Sequence, residues 1–591
     1  MSTGITQLLK AYRDGATDPR AMVEELIARK HEADPFNVWI CCVDDEALRA
    51  RADELALLPP ASLPLYGIPF AIKDNIDCAP LPTTAGCAAF SYTPTVSAHV
   101  VQRLVDAGAI VIGKTNLDQF ATGLVGTRSP FGVCRNKYDL AYISGGSSSG
   151  SALAVALGQA SFALGTDTAG SGRVPAAFNN LVGYKPTLGR LSTRGMVPAC
   201  LSLDAMSIFA ATAGDAALVA GVAADQDLLD PWSRAPALAT GRGWSQRATF
   251  RFAVPQVAQR EFMGNAQYAR LFELEISHLE KLGGEPVIVD ITPLLECARL
   301  LYQGPWVAER YLAAMPLIES DPAALLTVTR DIIAAGTKPS ARDAFLAQYR
   351  LQELRRVAAT IWAQADVLLL PTAPTHFTID EVAAEPIARN TDLGYYTNFV
   401  NLMDLAAVAV PAGFTDRGLP FGVSLIAPAW TDDDLLRLAS RMQQAGAPGI
   451  TPEVVPEIAH GAPGFVDVAV CGAHMSGLPL NTQLTSRGAW LLSTTQTTAE
   501  YRLYALPGGP PFRPGLVRVG NQGTAIEVEI WRMPVEHFGS FVAGIPSPLG
   551  IGRLKIADGT EVSGFVCETH ALAQAADITR FGGWRRYLAR G

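Results

Sequence analysis

Ser144-Gly145-Gly146-Ser147-Ser148-Ser149-Gly150-Ser151 and Gly165-Thr166-Asp167-Thr168-Ala169-Gly170-Ser171-Gly172-Arg173 are two serine-bearing, glycine-rich turns. A short apolar segment, Ala152 to Leu164, separates them, and a lysine lies upstream in Pro69-Phe70-Ala71-Ile72-Lys73-Asp74. Ser, Ser and Lys in this arrangement can serve nucleophilic catalysis in place of Ser, His and Asp. A serine hydroxyl is a poor nucleophile until a neighbouring base takes its proton. Lysine can be that base only when neutral, and burial depresses its pKa by disfavouring the charged form. Ile68 to Ile72 reads as a short buried strand, which places Lys73 where burial can act on it. A second serine can relay the proton between lysine and nucleophile. The turn Thr168-Ala169-Gly170-Ser171 can aim successive backbone N–H groups at one point, which makes an oxyanion hole.

Singly, a Ser/Gly run reads as a flexible loop, Lys73 as a strand-end surface lysine, and the second turn as an anion site ahead of a helix. Their joint occurrence in this order overrides those readings. Lys114 is a rival base and is read as structural. Asp167 and Arg173 are expected to form an ion pair around the turn. His99, His278 and His376 show no pairing or metal spacing.

The constellation resembles the amidase signature family over roughly residues 60 to 430. The resemblance implies Ser171 as nucleophile, Ser147 as bridging serine after a cis peptide bond, and Lys73 as base. It implies backbone N–H groups of Thr168, Ala169, Gly170 and Ser171 as the oxyanion hole. The family usually has two glycines before the nucleophile, where this chain has Ala169-Gly170.

With 591 residues, 49% of them hydrophobic and 17% charged, the chain is long enough for two to four domains and carries no disordered bias. The net charge of −9 argues against non-specific binding to nucleic acid or anionic membrane. Nine scattered cysteines without CxxC spacing read as reduced thiols in a cytoplasmic protein with no zinc site. The first residues lack a secretory pattern, and apolar stretches such as Ala205 to Ala224 are interrupted, so no membrane span is expected.

Residues 1–60 read as two or three helices, one starting at Asp18-Pro19. From about 65 to 445, short apolar runs alternate with amphipathic helices. Strands are expected at 109–112, 250–254, 287–289, 367–370 and 422–426, and helices at 100–107, 266–281 and 342–363. This is an α/β fold, a mixed central sheet flanked by helices. A Pro/Gly-rich stretch, 446–465, reads as a linker. It divides an amidase domain, 1–445, from a β-rich, barrel-like domain, 466–591, with a hairpin turn at Ala557-Asp558-Gly559.

Tyr302-Gln303-Gly304-Pro305-Trp306-Val307-Ala308-Glu309-Arg310-Tyr311 narrows the substrate. Gly304-Pro305 breaks one helix and starts another, with proline in the first turn and Arg310 projecting from the second. An arginine fork can bind both oxygens of a small carboxylate. This segment, with the Ala-Gly form of the nucleophile turn, resembles the allophanate hydrolases within the family. The resemblance implies a carboxylate clamp of Tyr302 and Arg310, with the backbone of Phe120-Ala121-Thr122-Gly123 lining the pocket. Val470 to Asn481 resembles the C-terminal domain of the same enzymes, similar in form to the γ-glutamyl cyclotransferase fold. That implies a second reaction, loss of CO2 from N-carboxycarbamate, with His474 as proton donor. Glu527 and Glu529 share one face of an expected strand.

The expectation is therefore an amidohydrolase releasing ammonia and CO2 from allophanate, without metal or organic cofactor. Its partners would be the small-molecule substrate and a homodimeric copy of itself. No biotin carboxylase segment is read in the chain, so a separate urea carboxylase or triazine-degrading enzyme would supply the substrate. The alternative is a broader amidase, or a glutamine-hydrolysing enzyme of the amidotransferase type, with a C-terminal scaffold domain.

Overall fold

The computed structural model describes residues 4–31, 33–235, 243–247, 249–446 and 465–590. The expected linker falls outside the described residues over 447–464. Contacts separate the chain into two compact units. One holds the described residues of 4–235 and 249–446, and the other holds 243–247 and 465–590. The grouping of 243–247 with the C-terminal unit has a visible cause, for Trp490 Nε1 donates to Gln246 Oε1 at 2.5 Å.

In the larger unit, eleven strands among the described residues form one sheet. They are β1 (Trp39–Cys42), β2 (Pro69–Lys73), β3 (Ile110–Thr115), β4 (Phe162–Asp167), β5 (Val182–Lys185), β6 (Ala205–Ala210), β7 (Phe250–Pro255), β8 (Gly284–Val289), β9 (Val367–Pro371), β10 (Leu405–Phe414) and β11 (Pro420–Pro428). Their order is β1-β3-β2-β4-β6-β5-β10-β11-β9-β7-β8. β2 runs parallel to β3 and β4, and β7 parallel to β8 and β9, while the middle of the sheet is antiparallel. The sheet is mixed and carries helices, as expected. Its central strands are buried throughout: β2, β4, β6 and β9 have no exposed residue. Strands covered on both faces read as continuous apolar runs instead of alternating ones.

The N-terminal region holds helices Ile5–Arg13, Pro19–Lys30 and Asp45–Ala56. The Asp18 side chain caps the second by accepting from Ala21 N at 2.8 Å, with Pro19 in the first turn. β1 was not anticipated: it is an edge strand antiparallel to β3, half-buried along its whole length. The stretch from Ala205 is β6 followed by a helix, Ala213–Ala223, started by a Thr212 cap on Asp215 N. No helix among the described residues is long and apolar enough to cross a membrane. Helix Ala266–Lys281 has the expected bounds, and helix Ala341–Gln364 begins with a Ser340–Asp343 capping box.

The connection from β8 to β9 carries helices Thr292–Gln303 and Val307–Ser320, and Arg310 lies in the second turn of the latter. Pro305 stands immediately before the cap residue Trp306, two positions ahead of the first helical residue, Val307, and so outside the first turn where it was expected. Its carbonyl accepts from Ala308 N, a turn that bridges the two helices.

The C-terminal unit has β12 (Phe465–Val470), β13 (Trp490–Gln496), β14 (Tyr501–Ala505), β15 (Pro514–Arg518), β16 (Glu527–Pro534), β17 (Leu549–Lys555), β18 (Glu561–Cys567) and β19 (Ala576–Asp577). Five form a sheet ordered β13-β16-β12-β18-β17, and β15-β14-β19 form a second. Just beyond the outer strands, Thr497 bridges Ile556, Thr498 N donates to Lys555 O and Ala557 N to Gln496 O. The five-stranded sheet is thus closed at one end only, and barrel-like in that restricted sense. Its core includes Val468, Val470, Leu503, Val528, Ile530 and Leu554. Asp467 and Arg532 face each other directly across β12 and β16 and form a buried bidentate pair at 2.7 and 2.9 Å. The hairpin at 557–559 links β17 and β18 as expected.

Candidate active site

Lys73 closes β2 at its C-terminal end, between β3 and β4, and is fully buried. Its Nζ lies 2.8 Å from Ser147 Oγ and 2.7 Å from Thr166 Oγ1. Burial lowers its pKa to about 7; Asp118, Asp204 and Asp167 oppose the shift and Arg310 adds to it. An ammonium held this way gives up its proton near neutrality. Thr166, near the end of β4, escaped the sequence reading.

Ser147 follows a cis Gly146–Ser147 peptide bond and precedes helix Ser149–Ala156. A Cβ at Gly146 would fall 2.2 Å from Asp118 Oδ2, so the paired glycine is a packing requirement. Asp118 accepts from Val125, Gly126 and Arg128 amides, and its own amide donates to Ser147 O at 3.1 Å. The 118–128 loop is thereby fastened to the bridging serine.

Ser171 stands at the turn after β4, 2% exposed. Asp167 and Arg173 form the expected buried pair, with two contacts of 2.9 Å. The same carboxylate accepts from Gly170 N and Gly172 N, each at 3.0 Å. The Gly170 amide is thus committed to Asp167, which sets it apart from the other three expected donors, Thr168, Ala169 and Ser171. Gly170 has φ +136°, and a Cβ there would meet Thr397 Oγ1 at 2.5 Å. Ala169, by contrast, packs into a core cluster with Cys200, Leu203 and Tyr396. The chain departs from a double glycine at the position that tolerates a methyl group.

Beneath the turn lies Asp204, a second residue that sequence reasoning missed. Thr168 Oγ1 donates to its Oδ1, while the amides of Ala199 and Cys200 donate to its Oδ2 at 2.8 and 3.0 Å. Burial raises its pKa to about 6 in spite of these bonds.

Arg310 is 2% exposed, which excludes a surface role. Its Nη1 donates to Thr122 Oγ1 at 3.2 Å and Ala121 O at 3.4 Å, and its Nη2 to Tyr302 OH at 3.5 Å. The guanidinium carbon lies 5.3 Å from the centre of the Tyr302 ring. Tyr302, Arg310 and the 120–123 loop therefore meet as expected. Gly123 abuts the Asp118 carboxylate, where a Cβ would come within 2.6 Å. Glu309, beside Arg310, binds Ser202 through its amide and hydroxyl, tying this helix to the 199–204 loop that Asp204 holds.

Lys114 is structural: its Nζ binds Thr83 Oγ1 at 3.0 Å, Pro82 O at 3.1 Å and Asp74 at 3.3 Å. The reading of the histidines as unpaired needs correction. His99 Nδ1 is 3.5 Å from Asp227, and His278 Nδ1 is 2.9 Å from Glu275, one helical turn back. His376 is buried against Phe178 and bonds Ile143 O, and burial lowers its pKa to about 4. Among the described residues no His, Cys, Asp or Glu cluster could hold a metal.

In the C-terminal unit, His474 follows β12, stacks on Phe565 at 4.9 Å and bonds Gln483 Oε1 through Nε2 at 3.0 Å. Burial lowers its pKa; the Gln483 contact opposes this and the Arg513 charge adds to it. Glu529 accepts from Ser476 N, Trp531 Nε1 and Arg585, so it pins the turn after His474. Glu527 faces Arg585 and Arg586 at 3.6 and 3.7 Å.

A buried lysine joined to a serine after a paired-glycine turn, beside a second serine turn on the next strand, defines the class. The amidase family model matches residues 21–436, and the chain belongs to that family. The model described as allophanate hydrolase C-terminal domain matches residues 466–589. Urea amidolyase of Lachancea kluyveri is 42% identical over 99% of this chain and 32% of its own length. The chain thus spans about a third of that relative. The solved allophanate hydrolase of Kluyveromyces lactis is 41% identical, with TM-score 0.86, over 99% of this chain and 98% of that one. A glutamyl-tRNA(Gln) amidotransferase chain of Deinococcus deserti is 34% identical over 75% of this chain and 96% of its own length.

Proposed function

We propose that the chain hydrolyses allophanate to ammonia and CO2 in two steps, one in each unit. The observation that carries the substrate is Arg310. It is a buried guanidinium with no carboxylate at ion-pairing distance among the described residues, held by neutral oxygens and an aromatic ring. A buried charge without a counter-charge is costly, which suits a site whose counter-ion is the ligand. Allophanate, a urea nitrogen bearing a carboxylate, supplies that charge and presents an amide carbonyl to Ser171.

In the first step Ser171 Oγ attacks the amide carbonyl. Its proton passes to Ser147, whose own proton moves along the 2.8 Å contact to the lone pair of neutral Lys73. Thr166 takes one of the remaining amine hydrogens and so orients that lone pair. Amides of Thr168, Ala169 and Ser171 stabilise the oxyanion. The proton returns to the leaving nitrogen, ammonia departs, and water resolves the acyl-enzyme by the same relay to give N-carboxycarbamate. In the second step, at His474, the bond from nitrogen to one carboxyl carbon breaks, its electron pair stays on nitrogen, nitrogen gains a proton, CO2 leaves, and the remaining carbamate takes up a proton and falls apart to ammonia and a second CO2. His474 is lowered in pKa when the pocket is empty. A dianion beside it would favour the imidazolium and make it a proton donor.

The match to an allophanate hydrolase of nearly the same length supports this reading, as does the C-terminal family model. A homodimer fits the exposed apolar residues Phe345, Leu346 and Tyr349 on helix Ala341–Gln364. A urea-carboxylating or triazine-degrading activity would supply the substrate, and thiols that are all free among the described residues fit a cytoplasmic enzyme. The test is ammonia release by the purified chain given allophanate, urea, acetamide and glutamine in parallel. Release from allophanate alone, abolished by Ser171→Ala, supports the proposal. Release mainly from acetamide or glutamine keeps the serine–lysine machinery and discards allophanate.

A further inference from the structure

Beside His474 lies a pocket of about 40 Å³ whose wall includes Gly472, Gln483, Arg513, Leu549 and Phe565. A larger one of about 440 Å³ is lined by Gly508, Arg513, Ser547, Leu549 and His570. Arg513, Pro546 and Leu549 line both, so Arg513 stands on the shared wall between an inner chamber and an outer one. Neither lining includes an Asp or Glu.

Arg513 is placed by the strand pair on which it sits: its carbonyl accepts from Leu506 N, just beyond the β14–β15 ladder. The side chain is half-buried, and its Nε is fully buried with no hydrogen-bond partner. Among the described residues no carboxylate is at ion-pairing distance from Arg513, and neither pocket lining offers one. A partly desolvated guanidinium whose Nε has no partner among the described residues, on the wall of a chamber whose lining holds no acid, is an anion receptor by its chemistry.

We propose that Arg513 is the carboxylate-binding residue of this pocket, taking one carboxylate of a small dicarboxylate and setting the rest of the molecule against His474. The proposal rests on reading the C-terminal pocket as the site of the second reaction. It divides the labour between the two ends of that substrate. The carboxylate on Arg513 is the one retained. The other lies among Leu480, Ile545 and Phe565, where a charge is poorly solvated and departure as neutral CO2 is favoured. The Arg513 charge also reaches His474 and disfavours its imidazolium in the empty pocket, and a bound carboxylate would neutralise that effect.

The experiment is histidine-selective 13C NMR on the full chain, with the His474 signal assigned by its loss in His474→Ala and malonate as probe. Malonate is expected to shift the His474 signal and raise its titration midpoint. Arg513→Gln should raise the midpoint without malonate and weaken the malonate response at least tenfold, while Arg513→Lys, which keeps the charge but not the fork, should fall between. Equal malonate response in wild type and Arg513→Gln would overturn the role of Arg513 and leave the pocket as an acid site. A His474 signal silent to malonate in the wild type would remove the second-reaction reading, and the proposal with it.

Discussion

Thr168 Oγ1 donates a hydrogen bond to Asp204, which anchors the turn carrying the nucleophile to the loop 199–204. That loop in turn binds Glu309, next to Arg310. The residues that would hold the substrate carboxylate and those that would hold the oxyanion are therefore joined by one short run of hydrogen bonds. Asp204→Asn keeps the shape but cannot accept at every contact, since its amide end faces a donor. Release of a turn that positions the donors should lower kcat by about 10- to 100-fold, less than removing a donor outright. KM should change less. An unchanged kcat in steady-state assays would show that Thr168 needs no anchor.

Lys73, as the proposed base, should set the pH dependence. Its pKa is lowered to about 7, so it is protonated and inactive below that pH and neutral above it. The value of kcat/KM for allophanate should rise tenfold per pH unit on the acid side and level off above about 7. A folded-state pKa below the ordinary lysine value also means the unfolded chain binds the proton more tightly. This residue's contribution to stability should therefore improve as pH rises from about 7 towards 10.5. Thr166→Val removes one partner of Nζ and should move the kinetic limb; a limb at the same pH in variant and wild type would place the titrating group elsewhere.

Gly170→Ala should be severe. A methyl group would sit 2.5 Å from Thr397 Oγ1 on a backbone with φ +136°. We expect a loss of activity of more than about 100-fold from a displaced donor turn, whereas Ala169→Gly should retain most of it. Parallel rate measurements with circular dichroism on both variants check this; a fully active Gly170→Ala would contradict the geometry.

Arg310→Lys should raise KM for allophanate far more than it affects an uncharged amide. A lysine keeps the charge but cannot stack on Tyr302 and reach Thr122 as a fork does. Loss of one charge-assisted bond, about 1.5–3 kcal/mol, corresponds to about 10- to 150-fold. Equal effects on both substrates would remove Arg310 from carboxylate binding.

His474→Ala should let N-carboxycarbamate accumulate while ammonia continues to form, followed by 13C NMR on labelled allophanate. CO2 release at the spontaneous rate in wild type and variant alike would show that the C-terminal unit is not a catalyst.

The legible parts of the molecule were those where chemistry dictates residue type. Ser147 and Ser171 sit in glycine-bearing turns, at least one of whose glycines is demanded by close approach, Gly146 against Asp118, and Lys73 ends a wholly buried apolar run; both patterns stand out in a sequence. Thr166 and Asp204 do not, because a buried hydroxyl or carboxylate gets its role from partners distant in sequence. His99 escaped for the same reason, since Asp227 lies far along the chain. β6 and β10 were missed as strands because their buried runs are rich in alanine, which marks a strand less than the Val and Leu of β9 do. β1 was missed because four half-buried residues carry no pattern at all.

Tyr302 and Arg310 belong to the long excursion between β8 and β9, whereas Lys73, Ser147 and Ser171 belong to strands and turns formed from residues 69–173. Selection can therefore rewrite one crossover without touching the residues that make and break bonds. On the proposed roles, an acid-bearing urea could be traded for a neutral amide by changes within that excursion and the 121–122 segment it meets. The innermost strands, which fix the serines, would then change most slowly, and the excursion would bear the record of each change in diet.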